Sequence, residues 1–181
     1  IKLDNITVLA PLAGITNLPF RLLAKEAGCA LVCSEMISAN GLVYKSGKTH
    51  ELLDSRPEEK PLSVQTFGSD PSIMAEAAAM VEASGADILD INLGCAVKKV
   101  IKTGAGAALM KTPDKVEALL SVVRQSVSIP LTIKIRSGWD KSGQEAIKIA
   151  SIEETCGLGA MADQLRTATH GCAGREDGSV I

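Results

Sequence analysis

The hydrophobic positions of the chain fall into short runs rich in β-branched residues and into longer stretches with helical spacing. The short runs predict five strands, at residues 6–10, 30–35, 62–67, 88–92 and 131–136. The longer stretches predict four helices, at residues 18–27, 71–83, 113–127 and 144–154, and a further helical segment over residues 42–53. Strands and helices therefore alternate along the chain.

Residues that begin and end helices agree with this reading. Asp70-Pro71 and Thr112-Pro113 each place a capping residue before a proline in the first turn. Gly28 and Gly85 follow helix ends, where a left-handed residue is favoured. Five strand–helix units in succession predict a parallel sheet with right-handed crossovers.

Two architectures fit such a sheet, an open doubly wound sheet and part of a (β/α)8 barrel. Each of the five strands ends in a polar or glycine-rich segment, and barrel enzymes keep their sites at this carboxyl end. In an open sheet the special residues cluster mainly at one switch point. The pattern favours α/β architecture as a partial TIM barrel of about five βα units, since a whole barrel takes about 250 residues.

The segment after the fifth unit is polar, contains glycine and has no regular period. It predicts either a disordered tail or a damaged sixth unit. We therefore divide the chain into residues 1–158, the N-terminal part of a barrel, and residues 159–181, a divergent or disordered tail. The sequence does not begin with Met, which suggests a fragment of a longer protein.

Composition narrows the class of protein. The 181 residues are 46% hydrophobic and 22% charged with a net charge of −2, which excludes a disordered chain and a uniformly basic surface. No apolar run approaches the ~18 residues of a membrane span, and no signal peptide is visible. The five cysteines form no zinc-binding spacing, so we expect no metal and reduced thiols in the cytoplasm.

Three residues at strand ends are candidates for chemistry. Cys95 follows a strand and a glycine, and a free thiol, mostly protonated at neutral pH, can donate a proton or act as a nucleophile. An inert cysteine is the alternative. Lys134 lies in an apolar strand and can hold an anionic or electron-rich ring, or simply reach solvent at the strand end. Gln65 can offer a donor and an acceptor to the edge of a heterocycle.

The segment after Cys95 carries Lys98, Lys99 and Lys102. These cations can bind phosphates, or they can belong to a solvated loop. Residues 104–109 begin like a dinucleotide-binding fingerprint, but the third glycine is missing and no strand precedes them directly. We therefore assign them no nucleotide.

Taken in series, these segments resemble the tRNA-dihydrouridine synthase family, in particular its bacterial branch. The resemblance covers about residues 5–158. The matching segments, in the family's order, are residues 10–21 (APLAGITNLPFR), 65–71 (QTFGSDP), 90–95 (DINLGC), 97–100 (VKKV), 104–109 (GAGAAL) and 134–140 (KIRSGWD).

The resemblance implies an FMN-binding barrel, with a C-terminal helical tRNA-binding domain that this sequence does not contain. It implies that the flavin is lined by Pro11, Leu12 and Ala13. Gln65 and Lys134 would form hydrogen bonds to its ring. The oligomeric state is not implied.

The implied reaction is the reduction of uridine to 5,6-dihydrouridine in tRNA. NADPH reduces FMN, the flavin gives hydride to C6 of uracil, and Cys95 protonates C5. Asn92 and Arg136 would lie near flavin and uracil. The uridine must leave its stack, and Lys98 and Lys99 would then contact neighbouring phosphates.

The sequence departs from the family pattern at four places. Ala96 stands where proline normally follows the cysteine, and Leu12 stands where methionine is commoner. Residues 164–167 (QLRT) stand where the family has His-Gly-Arg-Thr, and the chain ends at Ile181, before the later strands. Two other readings therefore stay open: a non-functional fragment of such an enzyme, and another FMN barrel oxidoreductase acting on a free pyrimidine.

Overall fold

The structure, a computed structural model, describes residues 1–170 of the chain. It contains seven strands: β1 (Val8–Leu9), β2 (Leu31–Cys33), β3 (Ile37–Ser38), β4 (Leu62–Phe67), β5 (Ile88–Asn92), β6 (Leu131–Arg136) and β7 (Ala160–Gln164). It contains seven α-helices: α1 (Leu18–Glu26), α2 (Ala39–Val43), α3 (Gly47–His50), α4 (Pro71–Ala83), α5 (Lys98–Ile101), α6 (Pro113–Ser126) and α7 (Gln144–Thr155). Short 3-10 helices span Glu51–Leu53, Pro57–Glu59 and Gly106–Lys111.

The strands form one parallel sheet in the order β1-β2-β4-β5-β6-β7, and the short β3 pairs with β4. The sheet curls so that residues of both β1 and β7 line the same concave space. Five strand–helix units precede β7, as a partial TIM barrel requires. The predicted fold class is confirmed.

The hydrophobic core lies between the convex face of this sheet and the helices. Asp70 caps α4 as predicted, since its Oδ1 accepts a hydrogen bond of 3.0 Å from the Ile73 amide. Thr112 does not cap α6: its hydroxyl donates to the Leu109 carbonyl instead. The largest fully buried side chains are Ile37, Leu42, Leu62, Met74, Leu89, Ile91, Leu93, Met110, Leu119, Leu120, Leu131 and Ile133.

Two predicted elements differ from the structure for local reasons. The first strand is shorter than residues 6–10, because Asn5 Oδ1 accepts a hydrogen bond of 2.8 Å from the Thr7 amide and forms a turn there. The helical segment predicted over residues 42–53 is divided into α2, α3 and a 3-10 turn. Lys45, with a φ of 56°, lies in the left-handed region between α2 and α3 and interrupts them.

The structure also departs from the expected irregular segment at residues 160–164, which form β7. Met161 lies opposite Ile133 in the register with β6. The Gly159 amide donates to Leu131 O at 2.8 Å, and the Ser137 amide donates to Gln164 O at 3.2 Å. The expected sixth unit therefore begins with a strand that pairs with β6. Residues 171–181, the rest of the predicted tail, lie outside the described part of the chain.

Among residues 1–170, every helix is too short or too polar to cross a membrane.

Candidate active site

The carboxyl ends of β4, β5 and β6 bring polar side chains together on the concave face of the sheet. The register places Gln65 opposite Asp90, Asp90 opposite Thr132, and Asn92 opposite Lys134. Since side chains alternate between the two faces of a strand, all five point to the side away from the helices. The predicted residues of three strands therefore lie beside one another.

A cavity of about 490 Å³ lies against this concave face. Its lining includes Pro11, Cys33, Asp90 and Lys134, and most of the remaining surface is apolar and comes from β1, β2, β5, β6 and β7. Of the residues predicted to hold a flavin, the cavity brings Pro11 and Lys134 together. It does not include Leu12, Ala13 or Gln65.

Lys134 is the cation of this cavity. Burial lowers the pKa of its ammonium group, and the nearby charge of Asp90 acts in the opposite direction. Within residues 1–170 the ammonium makes no hydrogen bond to another group of the protein. A half-buried cation that faces a cavity without a hydrogen-bond partner is suited to binding an electron-rich or anionic ligand.

The loop after β1 carries Pro11, Leu12 and Ala13. Leu12 is 47% exposed and Ala13 is also exposed. The loop is nevertheless held in place, because the Thr16 hydroxyl accepts from the Leu12 amide at 3.1 Å and donates to the Leu12 carbonyl. The carboxylate of Glu35 accepts from the Gly14 amide. The predicted flavin contacts of Leu12 and Ala13 stay predictions.

Cys95 lies in a loop whose backbone groups are held by hydrogen bonds. Asn92 Oδ1 accepts the amides of Gly94 at 3.1 Å and Cys95 at 2.8 Å. On the other side, the Ala107 amide donates to Cys95 O at 3.0 Å. A side chain at Gly106 would place its Cβ only 2.7 Å from Cys95 O, so this close approach requires glycine.

Residues 104–109 thus have a structural role that the sequence did not show. The 3-10 helix Gly106–Lys111 packs against the Cys95 loop and fixes the position of its carbonyl group. This contact explains Gly106 without any nucleotide. The left-handed backbone, with a φ of 77° at Gly104 and 61° at Gly106, favours glycine at both positions.

Arg136 supports the same loop from β6. Its side chain is only 4% exposed, and its Nε donates to Gly94 O at 2.6 Å. Its Nη1 donates to Thr167 O at 3.2 Å, which joins the Cys95 loop to the segment after β7. The predicted proximity of Arg136 to uracil stays a prediction, while these two hydrogen bonds connect it to the backbone of two loops.

Gln65, on β4, is buried, with only 1% of its surface exposed. Its Nε2 donates to Asp90 Oδ2 at 2.6 Å, and its Oε1 accepts from Asn92 Nδ2 at 2.8 Å. Thr132 donates to the other carboxylate oxygen of Asp90 at 2.6 Å. The amide that was predicted to meet a flavin edge is engaged with two protein groups, and its role as a cofactor ligand stays a prediction.

A family model described as Dihydrouridine synthase (Dus) matches residues 8–177, which is most of the chain. The chain belongs to the dihydrouridine synthase family. The resemblance inferred from the sequence motifs is thereby confirmed.

Relatives within the dihydrouridine synthase family are similar over nearly the whole chain. The chain is 43% identical over 166 residues to tRNA-dihydrouridine synthase B of Vibrio vulnificus and 42% identical to that of Vibrio cholerae. A protein of the same name from Shewanella oneidensis is also 42% identical. In each case the match covers 92% of this chain and 52% of the relative, so the chain spans about half the length of these proteins.

In this dihydrouridine synthase family member, Lys98 and Lys99 lie on the single-turn helix α5, three and four positions after Cys95. Both side chains and that of Lys102 are exposed. The loop that carries the thiol is therefore followed at once by exposed cations. No contact in residues 1–170 assigns these lysines a structural role.

The cysteines and acidic groups of this family member form no metal site in the part of the chain that the structure describes. Cys29, Cys33, Cys95 and Cys156 are free thiols, whereas Cys172 lies outside the described residues. Burial, followed by the charge of Asp90, raises the pKa of Cys33 to about 12, so this thiol stays protonated at neutral pH. Asp90 and Gly106 are the site residues that the sequence reading missed.

Proposed function

We propose that this chain carries the N-terminal part of a catalytic site that reduces uridine to 5,6-dihydrouridine in tRNA, with FMN as cofactor and NADPH as reductant. The observation that carries the proposal is the thiol of Cys95, held in a capped loop three residues after β5, the strand whose Asp90 lines the same cavity as Lys134, in a chain of the dihydrouridine synthase family. Relatives of similar sequence are named tRNA-dihydrouridine synthase B. Acting on tRNA places the reaction in the cytoplasm.

The concave face suits a flavin. A volume of about 490 Å³ lies within the usual range of cofactor pockets, and its walls are mostly apolar. Lys134 supplies one cation without a hydrogen-bond partner among the described residues, and Pro11, which follows β1, lines the same cavity. When bound there, FMN supplies the hydride that uracil receives at C6.

The chain itself supplies the proton. Reduction of the C5–C6 double bond needs one proton at C5, and the Cys95 thiol can donate it. To do so, the thiol must come within hydrogen-bond distance of the reacting atom. Asn92 and Arg136 orient this donor: Asn92 holds the amide of Cys95, and Arg136 holds the carbonyl of Gly94. Their place near uracil is part of the same proposal.

The tRNA backbone is bound by the exposed lysines of α5. Lys98 and Lys99 are next to the loop of the proton donor, so they can hold phosphates that flank the uridine once it has left its stack. Phosphate contacts position the nucleic acid without reading its sequence.

The test is to measure bound flavin by absorption spectroscopy and dihydrouridine by nucleoside analysis of unmodified tRNA incubated with the protein, FMN and NADPH. We expect Cys95→Ser to lower product formation by about 100-fold or more, the usual contribution of a general acid. Cys156→Ser, at the end of α7, where the thiol contacts Ser121 and does not line the cavity, is the matched control and should leave the rate unchanged.

Two results would contradict the proposal. Full activity of the Cys95→Ser protein would exclude the thiol as proton donor. Reduction of free uridine or uracil at the same rate as tRNA would favour an oxidoreductase for free pyrimidines, because the lysines of α5 would then contribute nothing to substrate binding.

A further inference from the structure

A continuous chain of hydrogen bonds connects side chains of β4, β5 and β6 and ends at the loop of Cys95. Thr132 donates to Asp90 Oδ1, Gln65 donates to Asp90 Oδ2, Asn92 donates to Gln65 Oε1, and the amides of Gly94 and Cys95 donate to Asn92 Oδ1. The donor–acceptor distances lie between 2.6 and 3.1 Å. We name the set Thr132, Asp90, Gln65 and Asn92 the concave-face chain.

Every hydrogen bond in this chain is donated towards Asp90, whose two side-chain oxygens both accept. Because both oxygens of the Asp90 side chain accept hydrogen bonds, Gln65 turns its NH2 group to Asp90 and its carbonyl group to Asn92. Asn92 must then turn its NH2 group to Gln65 and its carbonyl group to the loop. Asp90 therefore determines which atom of Asn92 faces the backbone of Cys95.

The reversed direction would release the loop. If Gln65 presented its NH2 group to Asn92, then Asn92 would present its own NH2 group to the amides of Gly94 and Cys95, and donor would face donor. Both amides would lose their acceptor. Because Asp90, Gln65 and Asn92 are all at most 8% exposed, water cannot readily replace the missing partners.

We propose that Asp90 is a positioning residue for the thiol of Cys95, acting through the fixed direction of the hydrogen bonds of Gln65 and Asn92. Within residues 1–170 its side chain is hydrogen-bonded to Gln65 and Thr132, and not to the loop or the thiol. This inference deepens the proposed function, and it rests on that function only for the role of Cys95 as proton donor.

A second role for Asp90 has to be distinguished from this one. Asp90 also lines the cavity with Lys134, and the charges of the two groups interact. Burial raises the pKa of Asp90, whereas Gln65, Thr132 and Lys134 favour its ionised form. If Asp90 served only to stabilise the ammonium group, then removal of Lys134 would have the same effect on Cys95 as removal of Asp90.

The experiment measures the position of Cys95 without any enzymatic assay. The folded protein is treated with iodoacetamide at constant pH, and the alkylation rate of each cysteine is obtained by peptide mass spectrometry. Cys29 serves as the internal reference, since its thiol lies against the carbonyl groups of Thr7 and Leu31 and outside the concave-face chain.

We expect Asp90→Ala to increase the Cys95 rate several-fold relative to Cys29, and Asn92→Ala to do the same, because both variants free the loop. Lys134→Met should leave the ratio unchanged. An unchanged ratio in Asp90→Ala, or an equal increase in Lys134→Met, would overturn the proposal.

Asp90→Asn keeps the volume of the side chain and serves if Asp90→Ala does not fold. An amide at this position can donate to Gln65 as well as accept, so both directions of the chain become available. We expect hydrogen exchange at the amides of Gly94 and Cys95 to become several-fold faster, with no change at the α4 amides. Equal exchange rates in the two proteins would overturn the proposal.

The outcome is independent of the proposed function. If the protein proves not to reduce tRNA, the proposed function fails, while the alkylation and exchange rates still decide whether Asp90 holds the loop. If tRNA is reduced, the same variants should lower kcat more than KM, because a displaced donor affects the proton step and not the binding of the substrate.

Discussion

At the scale of single residues, burial on the concave face changes the ionisation of three neighbouring groups. It raises the pKa of the Cys33 thiol to about 12, raises the pKa of Asp90 and lowers the pKa of Lys134. All three shifts favour the neutral form, as expected where a charge has lost water. Asp90 accepts two hydrogen bonds, which offset part of its lost hydration. The Lys134 ammonium group makes no hydrogen bond within residues 1–170.

Cys33 gives a pH dependence of stability with a definite sign. The unfolded thiol has its ordinary pKa of 9.0, whereas burial raises the pKa of the folded thiol to about 12. Above pH 9 the unfolded state therefore binds fewer protons than the folded state, and stability falls as pH rises. The expected slope is about 1.4 kcal/mol per pH unit.

Urea unfolding of the protein and of Cys33→Ala between pH 8 and about pH 11, above which chemical damage intervenes, measures this slope. We expect the slope to be reduced in Cys33→Ala and retained in the matched control Cys29→Ala, a cysteine of the same strand region that is only partly buried. Parallel curves for all three proteins would show that the Cys33 thiol ionises equally in both states.

At the scale of elements, a buried ion pair joins helix α1 to the 3-10 turn Pro57–Glu59. Arg21 Nε and Glu59 Oε2 are 2.5 Å apart, and both side chains are nearly inaccessible to solvent. Arg21 also donates to Thr16 O at 3.0 Å, and the hydroxyl of Thr16 holds the backbone of Leu12. The ion pair thus positions the loop that was predicted to line the flavin.

Arg21→Met should destabilise the protein by about 3–5 kcal/mol, because it leaves the Glu59 carboxylate buried without its counter-ion. The control is Lys60→Met, which breaks the Lys60–Asp87 pair; both of these side chains are about one third exposed. Its expected cost is about 0–1 kcal/mol. Urea unfolding measures both values, and equal costs would show that burial does not distinguish the two pairs.

At the scale of the whole molecule, charge is unevenly distributed although the net charge is only −2. The lysines of α5 and its C-cap, Lys98, Lys99 and Lys102, are exposed and close in sequence, and they follow the Cys95 loop directly. A chain without excess positive charge can still bind a polyanion through such a local cluster, and the affinity then depends steeply on salt.

The double variant Lys98→Gln/Lys99→Gln should weaken tRNA binding at low salt and reduce the slope of log Kd against log salt by roughly 0.7 to 0.9 per lysine. Lys148→Gln, an exposed lysine on α7, is the control and should leave the slope unchanged. Filter binding over a series of salt concentrations measures the slopes. An identical slope in the double variant would exclude α5 from the phosphate contacts.

Local sequence determined most of the framework. The bounds of β4, β5 and β6 and of helix α4 agree with the prediction, because apolar runs, capping residues and the glycines after helices act within a few residues of one another. Local patterns failed over residues 42–53, where one helical segment was predicted. The left-handed conformation of Lys45 divides this segment, and no residue type in the sequence marks it.

The motif series was sufficient to identify the family, and the sequence singled out the loop of Cys95 and Lys134 in β6, whose roles stay predictions. It did not show Asp90, which reads as one polar residue within an apolar strand. It also gave residues 160–164 no strand, since their side chains alternate weakly and the neighbouring strand β6 supplies the hydrogen bonds.

What the sequence determined by itself is therefore the period of each element and the chemical groups at its ends. Only the tertiary structure decided which groups face each other: that Gln65 lies between Asp90 and Asn92, that Arg136 turns to the Gly94 carbonyl, and that Lys134 faces the cavity. The physical reason is that periodicity arises from neighbours along one strand, whereas these contacts depend on the register between strands.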